Sequence, residues 1–161
     1  MGKEEEFSHM IRDHEGIIFK ISTLYTHNRQ DQKDLYQDIV YQLWRSFDSF
    51  RQESKRSTWM YRVAMNTAIT HVKNEKKAGK SISIEKVVIN EIETDNQALE
   101  ERIKSMYVHI NRLSVLEKGV ILLLLEGKKY DEIAEITGLS TTNVGTRISR
   151  IKNKLKSTMK Q

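Results

Sequence analysis

Apolar residues recur every three or four positions through most of the chain, which predicts a succession of amphipathic helices. The first predicted helix covers residues 4–25, and the second runs from an N-cap at Asp31 to Phe47. A polar stretch, residues 48–56, is predicted to be a loop before a third helix over residues 57–77. The expected buried stripe of that third helix comprises Met60, Val63, Ala64, Ala68 and Val72.

The helical pattern is interrupted between two predicted domains, residues 1–78 and 97–161. The intervening residues 79–96 lack a helical stripe and contain a β-branched run, so they are predicted to form a flexible linker. In the second domain, Ser114 and Glu117 form an S-x-x-E capping box ahead of a strongly apolar helix. Such a helix needs neighbours around most of its circumference.

The C-terminal segment has the spacing of a helix-turn-helix. Residues 130–137 form the first helix, and Ser140 is a suitable N-cap for the second. Between them, Ala134, Gly138 and Val144 follow the pattern of a small residue, a glycine four positions later and an apolar residue ten positions later. The small side chain lets the two helices approach, and the glycine permits the sharp turn.

Composition narrows the class of protein. The 161 residues include no Cys and no Pro. The first absence excludes disulfides, thiolate metal sites and cysteine nucleophiles, and the second favours helices, so an all-α fold is predicted. The longest apolar run has six residues, far short of the roughly twenty that span a bilayer, and the N-terminus is acidic, unlike a secretory signal. We expect a soluble, cytoplasmic protein.

The net charge of +5 is unevenly distributed. Residues 81–104 hold six acids against three cations, whereas residues 145–161 hold six cations and no acid. A basic cluster beside a helix-turn-helix is typical of phosphate contact with DNA. The alternative is a solvated helix end whose cations suit the macrodipole. Because the turn spacing and the serine cap accompany the charge, DNA binding is the favoured interpretation.

Two further surfaces in the first domain are candidates for binding. The second helix carries an acidic face that could dock a basic partner, although an ordinary solvated face would have the same pattern. The third helix interleaves aromatic and cationic residues, which suits stacking on unpaired bases with phosphates held nearby. Here the alternative is that Trp59 and Tyr61 belong to the core.

In combination these segments resemble a bacterial RNA polymerase sigma factor of the extracytoplasmic-function (ECF) group of the sigma-70 family. The segment DLYQDIVYQLWRSFDSF resembles the family's region 2.1–2.2, and STWMYRVAMNTAITHVKNEKK resembles regions 2.3–2.4, with Trp59, Arg62 and Asn66 at W-x-x-R-x-x-x-N positions. The segment LSVLEKGVILLLLEGKKYDEIAEITGLSTTNVGTRISRIKNKL resembles region 4.

The resemblance implies a partner and a role for each surface. Core polymerase, through its β′ clamp helices, would bind Asp34, Gln37, Asp38, Gln42 and Trp44. The −10 promoter element would be held by Phe50, Arg51, Arg56, Trp59, Arg62, Asn66 and Lys73. The −35 element would be read by Thr142, Gly145, Thr146, Arg147, Ser149 and Arg150, with region 4 resting against the β flap. An anti-sigma factor is a further expected partner.

No catalytic constellation accompanies these motifs. The five His share no metal-ligand spacing, and no glycine-rich phosphate loop is present. We therefore expect no cofactor, no metal, no small-molecule substrate and no enzymatic activity of the chain itself. Two other functions remain open: a dimeric helix-turn-helix regulator that binds operators without polymerase, and an interaction scaffold whose basic tail binds acidic proteins.

Overall fold

The computed structural model describes residues 2–50, 55–78 and 108–159. The chain divides into two compact units, Met1–Ser81 and Ile82–Gln161. The predicted linker, residues 79–96, and the first part of the second predicted domain, up to residue 107, lie outside the described residues. All regular structure in the described ranges is helical, which confirms the all-α prediction.

The first unit contains four α-helices and one short turn of 3₁₀ helix. The α-helices are α1 (Lys3–Asp13), α2 (Glu15–Leu24), α3 (Arg29–Ser46) and α4 (Arg56–Lys77), and the 3₁₀ turn is Phe47–Ser49. Helix α4 begins one residue before its predicted start. None of the helices in the described residues is long and apolar enough to span a membrane.

The prediction of a single helix over residues 4–25 is wrong, because the chain breaks at His14. This residue has φ −123° and ψ 18°, outside the helical region. Its ring Nδ1 lies 2.9 Å from the carbonyl oxygen of Met10, which gives the last turn of α1 a side-chain partner. Apolar residues on both sides continue the same spacing, so periodicity alone does not reveal the break.

The predicted cap of α3 is also wrong by three residues. Asn28, not Asp31, is the N-cap: its side-chain oxygen accepts a hydrogen bond from the backbone N–H of Asp31 at 2.8 Å. The Asn28 amide in turn donates to the Asp31 carboxylate at 3.0 Å. Asp31 therefore lies in the first turn, where a negative charge interacts favourably with the helix dipole.

Helix α3 packs against α4 and buries its apolar stripe completely. Leu35, Ile39 and Leu43 are each 0% exposed. On α4, the fully buried members of the predicted stripe are Met60, Ala64 and Ala68, whereas Val63 and Val72 are only half-buried. The remaining core positions of α4 are Thr58, Trp59, Tyr61 and Met65.

The second unit contains α5 (Val115–Leu125), α6 (Tyr130–Thr137) and α7 (Thr141–Met159). The capping box is confirmed, since Ser114 Oγ accepts from Glu117 N–H at 3.2 Å and the Ser114 N–H donates to Glu117 Oε1 at 3.1 Å. Gly127, at φ 82°, ends α5, and Gly138, at φ 81°, makes the turn between α6 and α7. Both angles lie in the left-handed region that favours glycine.

The Ser140 cap is also as predicted, and one side of α7 is buried. Ser140 Oγ accepts from Asn143 N–H at 3.1 Å. Val144, Ile148 and Ile151 are at most 1% exposed. These apolar contacts hold α7 against α5 and α6.

Glu117 connects the start of α5 to α7. Lys154 Nζ donates to both carboxylate oxygens of Glu117 at 3.0 Å. Burial of Glu117, which is 8% exposed, opposes its charge, but the hydrogen bonds from Ser114 and the ammonium of Lys154 lower the pKa of Glu117 overall. One carboxylate therefore caps one helix and neutralises a cation on another.

We expect Glu117→Gln to destabilise the second unit by about 1 kcal/mol at neutral pH, because hydrogen bonds to a charged group are lost. The folded pKa lies below the ordinary value of 4.5, so the unfolded chain binds more protons in the acid range. The carboxylate's contribution is therefore complete at neutral pH and is lost as pH falls below 4.5. Hydrogen–deuterium exchange of the α5 amides measures both effects.

The fluorescence of Trp44 and Trp59 is the control for this variant. Both tryptophans lie in the unit Met1–Ser81, so their unfolding signal should not change. Unchanged α5 exchange at neutral pH in Glu117→Gln would show that the carboxylate does not stabilise this junction.

Candidate functional site

The acidic face of α3 is the set Asp34, Gln37, Asp38 and Gln42. The first three are exposed and Gln42 is half-buried, because the opposite side of the helix is in the core. Asp34 accepts from the Gln30 amide at 3.0 Å, and Asp38 accepts from the Gln42 amide at 3.5 Å. Within the described residues neither carboxylate pairs with a cation. Their negative charge is therefore available to a basic partner.

Trp44 and Tyr41 border this acidic face. Trp44 is half-buried on the side of α3 that meets α1, where its ring meets Phe7 edge-on at 5.0 Å. Lys3 Nζ lies 4.5 Å above the same ring. Tyr41 is 57% exposed and was not among the predicted site residues, although its position between Gln37 and Arg45 on the polar side of α3 could have indicated it.

The α4 stripe is the set Trp59, Arg62, Asn66 and Lys73. Steps of three, four and seven residues place these side chains along one side of the helix. Exposure increases along the stripe, since Trp59 is buried, Arg62 is half-buried and Asn66 and Lys73 are exposed. The exposed half offers an amide and an ammonium to a ligand running along α4.

Trp59 lies in an aromatic cluster at the start of α4. It is 8% exposed, and its ring centroid is 4.9 Å from that of Phe50 and 6.4 Å from that of Phe47. Most of the ring therefore packs within the protein, as does Tyr61 at 3% exposure. Both residues therefore belong to the core, which was the alternative to stacking on unpaired bases.

Of the two arginines predicted at residues 51 and 56 for the −10 site, the structure describes one. Arg56 is half-buried, and its Nη2 lies 3.1 Å from the Glu6 carboxylate on α1. Arg51, predicted for the same site, lies outside the described residues. The described part of the predicted −10 site thus consists of Phe50, Arg56 and the α4 stripe.

The recognition face of α7 is the set Thr142, Thr146, Ser149 and Arg150, all exposed. These residues lie opposite the buried Val144, Ile148 and Ile151, so the core contacts fix the direction in which the face points. Arg147 lies at the edge of the face, half-buried, and its Nε donates to Asn143 Oδ1 at 3.1 Å. The face presents hydroxyl and guanidinium donors that suit base edges and phosphates.

Gly145 lies beside α6 and not in the middle of this face. A Cβ at this position would lie 3.6 Å from the Tyr130 ring, which is ordinary contact. Tyr130, at the start of α6, is 41% exposed and occupies the space next to the recognition helix. The sequence did not indicate this aromatic neighbour, because the two residues are fifteen positions apart on different helices.

Two family profiles match the chain, one in each of its two units. The profile for Sigma-70 region 2 matches residues 10–78, which include the acidic face and the α4 stripe. The profile for Sigma-70 region 4 matches residues 105–155, which include the helix-turn-helix. The RNA polymerase sigma factor SigV of Bacillus subtilis is 29% identical over 144 residues, with 87% of this chain and 82% of SigV covered.

Other similar proteins extend this match over almost the whole chain. The ECF RNA polymerase sigma-E factor of Haemophilus influenzae is 29% identical over 175 residues, covering 98% of this chain and 92% of the relative. Among solved structures, the sigma factor RpoE from Bartonella quintana, in complex with the anti-sigma factor NepR, shares the fold with a TM-score of 0.77 at 20% identity, covering 97% of this chain and 98% of RpoE. CnrH, in complex with the cytosolic domain of CnrY, has a TM-score of 0.72 at 19% identity, covering 99% and 90% of the two chains.

The two sigma-70 regions together account for most of the sequence and occur in the order that the motifs predicted. The chain therefore belongs to the sigma-70 family of RNA polymerase sigma factors, in the extracytoplasmic-function group.

Proposed function

We propose that the chain is the non-catalytic initiation subunit of a bacterial RNA polymerase, acting in the cytoplasm, and that it directs the polymerase to promoters. The observation that carries this proposal is the pairing of two outward-facing surfaces in one chain: the unneutralised acidic face of α3 and the capped recognition helix α7. A DNA-binding regulator needs the second surface but has no use for the first.

The acidic face supplies the contact with core polymerase. Asp34 and Asp38 carry negative charge on a rigid helix, and Gln37 and Gln42 add amide donors and acceptors beside them. This arrangement would make binding to a basic surface on the β′ clamp helices faster and more specific. Trp44 holds the end of α3 against α1 and gives the contact an apolar edge.

The −10 element binds along α4. Asn66 and Lys73 are exposed to a strand that follows the stripe, with Arg62 beside them. Phe50 and the Trp59 edge form an aromatic end to this path, where an unstacked base could rest, and Arg56 supplies a cation near it. Because Trp59 is mostly buried, its main contribution is to fix the position of Phe50.

The −35 element binds in the major groove on the recognition face. A helix of this type presents its first turns to base edges. Thr142, Thr146 and Ser149 offer hydroxyl groups, and Arg147 and Arg150 offer guanidinium groups. Gly145 has no side chain, and the ring beside it belongs to Tyr130, so Tyr130 borders the groove at that point. The opposite side of region 4 would rest against the β flap.

An anti-sigma protein is the regulator that this proposal includes. The similar sigma factor RpoE was solved in complex with the anti-sigma factor NepR, and CnrH in complex with the cytosolic domain of CnrY. For this chain, an anti-sigma protein would act by covering the acidic face or the recognition face. No small molecule and no metal is required in this mechanism.

Exchange of one charge on the acidic face should weaken binding to core polymerase. In Asp38→Arg we expect roughly tenfold or greater loss of affinity for core, because a cation would face a basic surface. Co-purification of the full chain with core polymerase, followed by titration, measures the loss. The matched control is Asp13→Arg, the same exchange at an exposed position on α1, which should bind as the wild type does.

Retention of Asp38→Arg at wild-type affinity would contradict docking through the acidic face. Weak binding of both variants would indicate a general electrostatic attraction in place of this surface. Failure of the wild-type chain to bind core, together with tight binding to DNA on its own, would favour an operator-binding regulator.

Removal of Arg147 should change promoter use more than core binding. We expect Arg147→Ala holoenzyme to lose about tenfold in open-complex formation on promoters that carry the preferred −35 sequence, because a guanidinium contact in the groove is lost. Open complexes detected by permanganate footprinting give the readout. Arg12→Ala, which removes an exposed guanidinium from α1, is the control, and equal losses in both variants would contradict a specific role for Arg147.

A further inference from the structure

The second unit contains an open basic cleft of about 550 Å³ between α7 and the turn that precedes α5. The described residues that line this cleft include three cations and no acid. The full set of described lining residues is His109, Arg112, Leu113, Arg150, Asn153, Lys154, Leu155 and Ser157. Of these only Arg150 belongs to the predicted −35 site.

Two of the three cations have charge available for a ligand. Lys154 donates to Glu117 at 3.0 Å, so its charge is largely neutralised. Arg112 and Arg150 are both exposed, and neither pairs with an acid in the described residues. Both guanidinium groups line one opening, and the planar fork of N–H donors on each suits phosphate oxygens.

The turn that carries Arg112 is anchored in the core. Ile110 and Leu113 are 4% and 7% exposed, and the Leu113 N–H donates to the Ile110 carbonyl at 3.0 Å. Arg112 therefore projects from a fixed point. His109, in the helical residues 108–111 just before this turn, has a buried Nδ1 with no hydrogen-bond partner in the described part of the chain, which leaves a polar atom beside the cleft unsatisfied.

The cleft is continuous with the recognition face. Arg147, Arg150 and Lys154 are three and four residues apart, so they lie on one side of α7. Lys154 is about 10 Å further along the helix axis than Arg147, at 1.5 Å per residue. When the first turns of α7 enter a major groove, the cleft lies beside the sugar–phosphate strand that borders the groove, and Arg150, at the end of the recognition face, lies between the base edges and that strand.

We propose that this cleft binds a backbone phosphate of the duplex beside the −35 element, with Arg112 and Arg150 as its ligands. The proposal rests on the proposed function of region 4 and extends the DNA contact to a residue outside the helix-turn-helix. Continuity with the recognition face favours DNA over an acidic protein. Arg112 carries no sequence information in this role, because phosphate contacts position a protein without reading bases.

The salt dependence of DNA binding tests the proposal. The slope of log affinity against log salt changes by about 0.9 for each phosphate contact. The ratio of the wild-type affinity to the Arg112→Gln affinity should therefore fall roughly threefold between 50 and 200 mM salt. The probes are a duplex selected from genomic DNA by wild-type holoenzyme and the same duplex with its −35 element scrambled. The loss of affinity in Arg112→Gln should be equal on the two duplexes.

Two further variants make the result specific. Arg112→Lys keeps the charge and should retain the wild-type slope with a smaller loss of affinity. Arg12→Gln removes an equal charge from α1 and should leave the slope unchanged. Circular dichroism confirms that each variant retains its helical content.

An unchanged slope in Arg112→Gln would overturn the proposal, as would a loss confined to the duplex with the intact −35 element. An unchanged slope together with weaker binding of a polyglutamate peptide would assign the cleft to an acidic protein instead. If wild-type holoenzyme selects no duplex, the proposed function fails. The slope of the full chain alone on any duplex still tests the cleft in that case.

Discussion

The burial of one apolar stripe per helix is the constraint on which the rest of the structure depends. In α3 the stripe of Leu35, Ile39 and Leu43 has no exposed surface, and α3 packs against both α2 and α4. Once this side faces inward, the helical period turns Asp34 and Asp38 outward. The acidic face is thus a geometric consequence of the core, and a substitution that rotated α3 would move the charges as well.

The same constraint acts separately in the second unit, with an added polar device. Val144, Ile148 and Ile151 hold α7 against its neighbours and so direct the recognition face outward. Glu117 adds a fixed connection, because its carboxylate binds both the start of α5 and Lys154 on α7. This pairing also reduces the effective positive charge of the C-terminal helix, so the count of cations in the sequence overstates what DNA encounters.

Features that depend on neighbouring residues could be predicted from the sequence. The capping box at Ser114, the cap at Ser140 and the glycine turn at Gly138 each need only a few adjacent residues, and each is observed. The errors arose where two local signals competed. Asn28 and Asp31 are both good caps, and the break at His14 left the apolar spacing unchanged.

Features that depend on contacts between distant segments could not be predicted. The burial of Trp59 requires Phe47 and Phe50 to fold back onto α4, which periodicity does not encode. In the same way, the basic cleft arises only when the Arg112 turn is brought beside α7. The surfaces were therefore predictable as faces of helices, whereas the detailed composition of each site was not.

The most direct measurement of the central claim is transcription of purified genomic DNA by core polymerase with and without this chain, followed by mapping of RNA 5′ ends. If the chain directs initiation, a set of starts should require the chain and share two upstream sequence elements separated by a constant spacing. Identical starts in both reactions, or chain-dependent starts that share no upstream element, would contradict this claim.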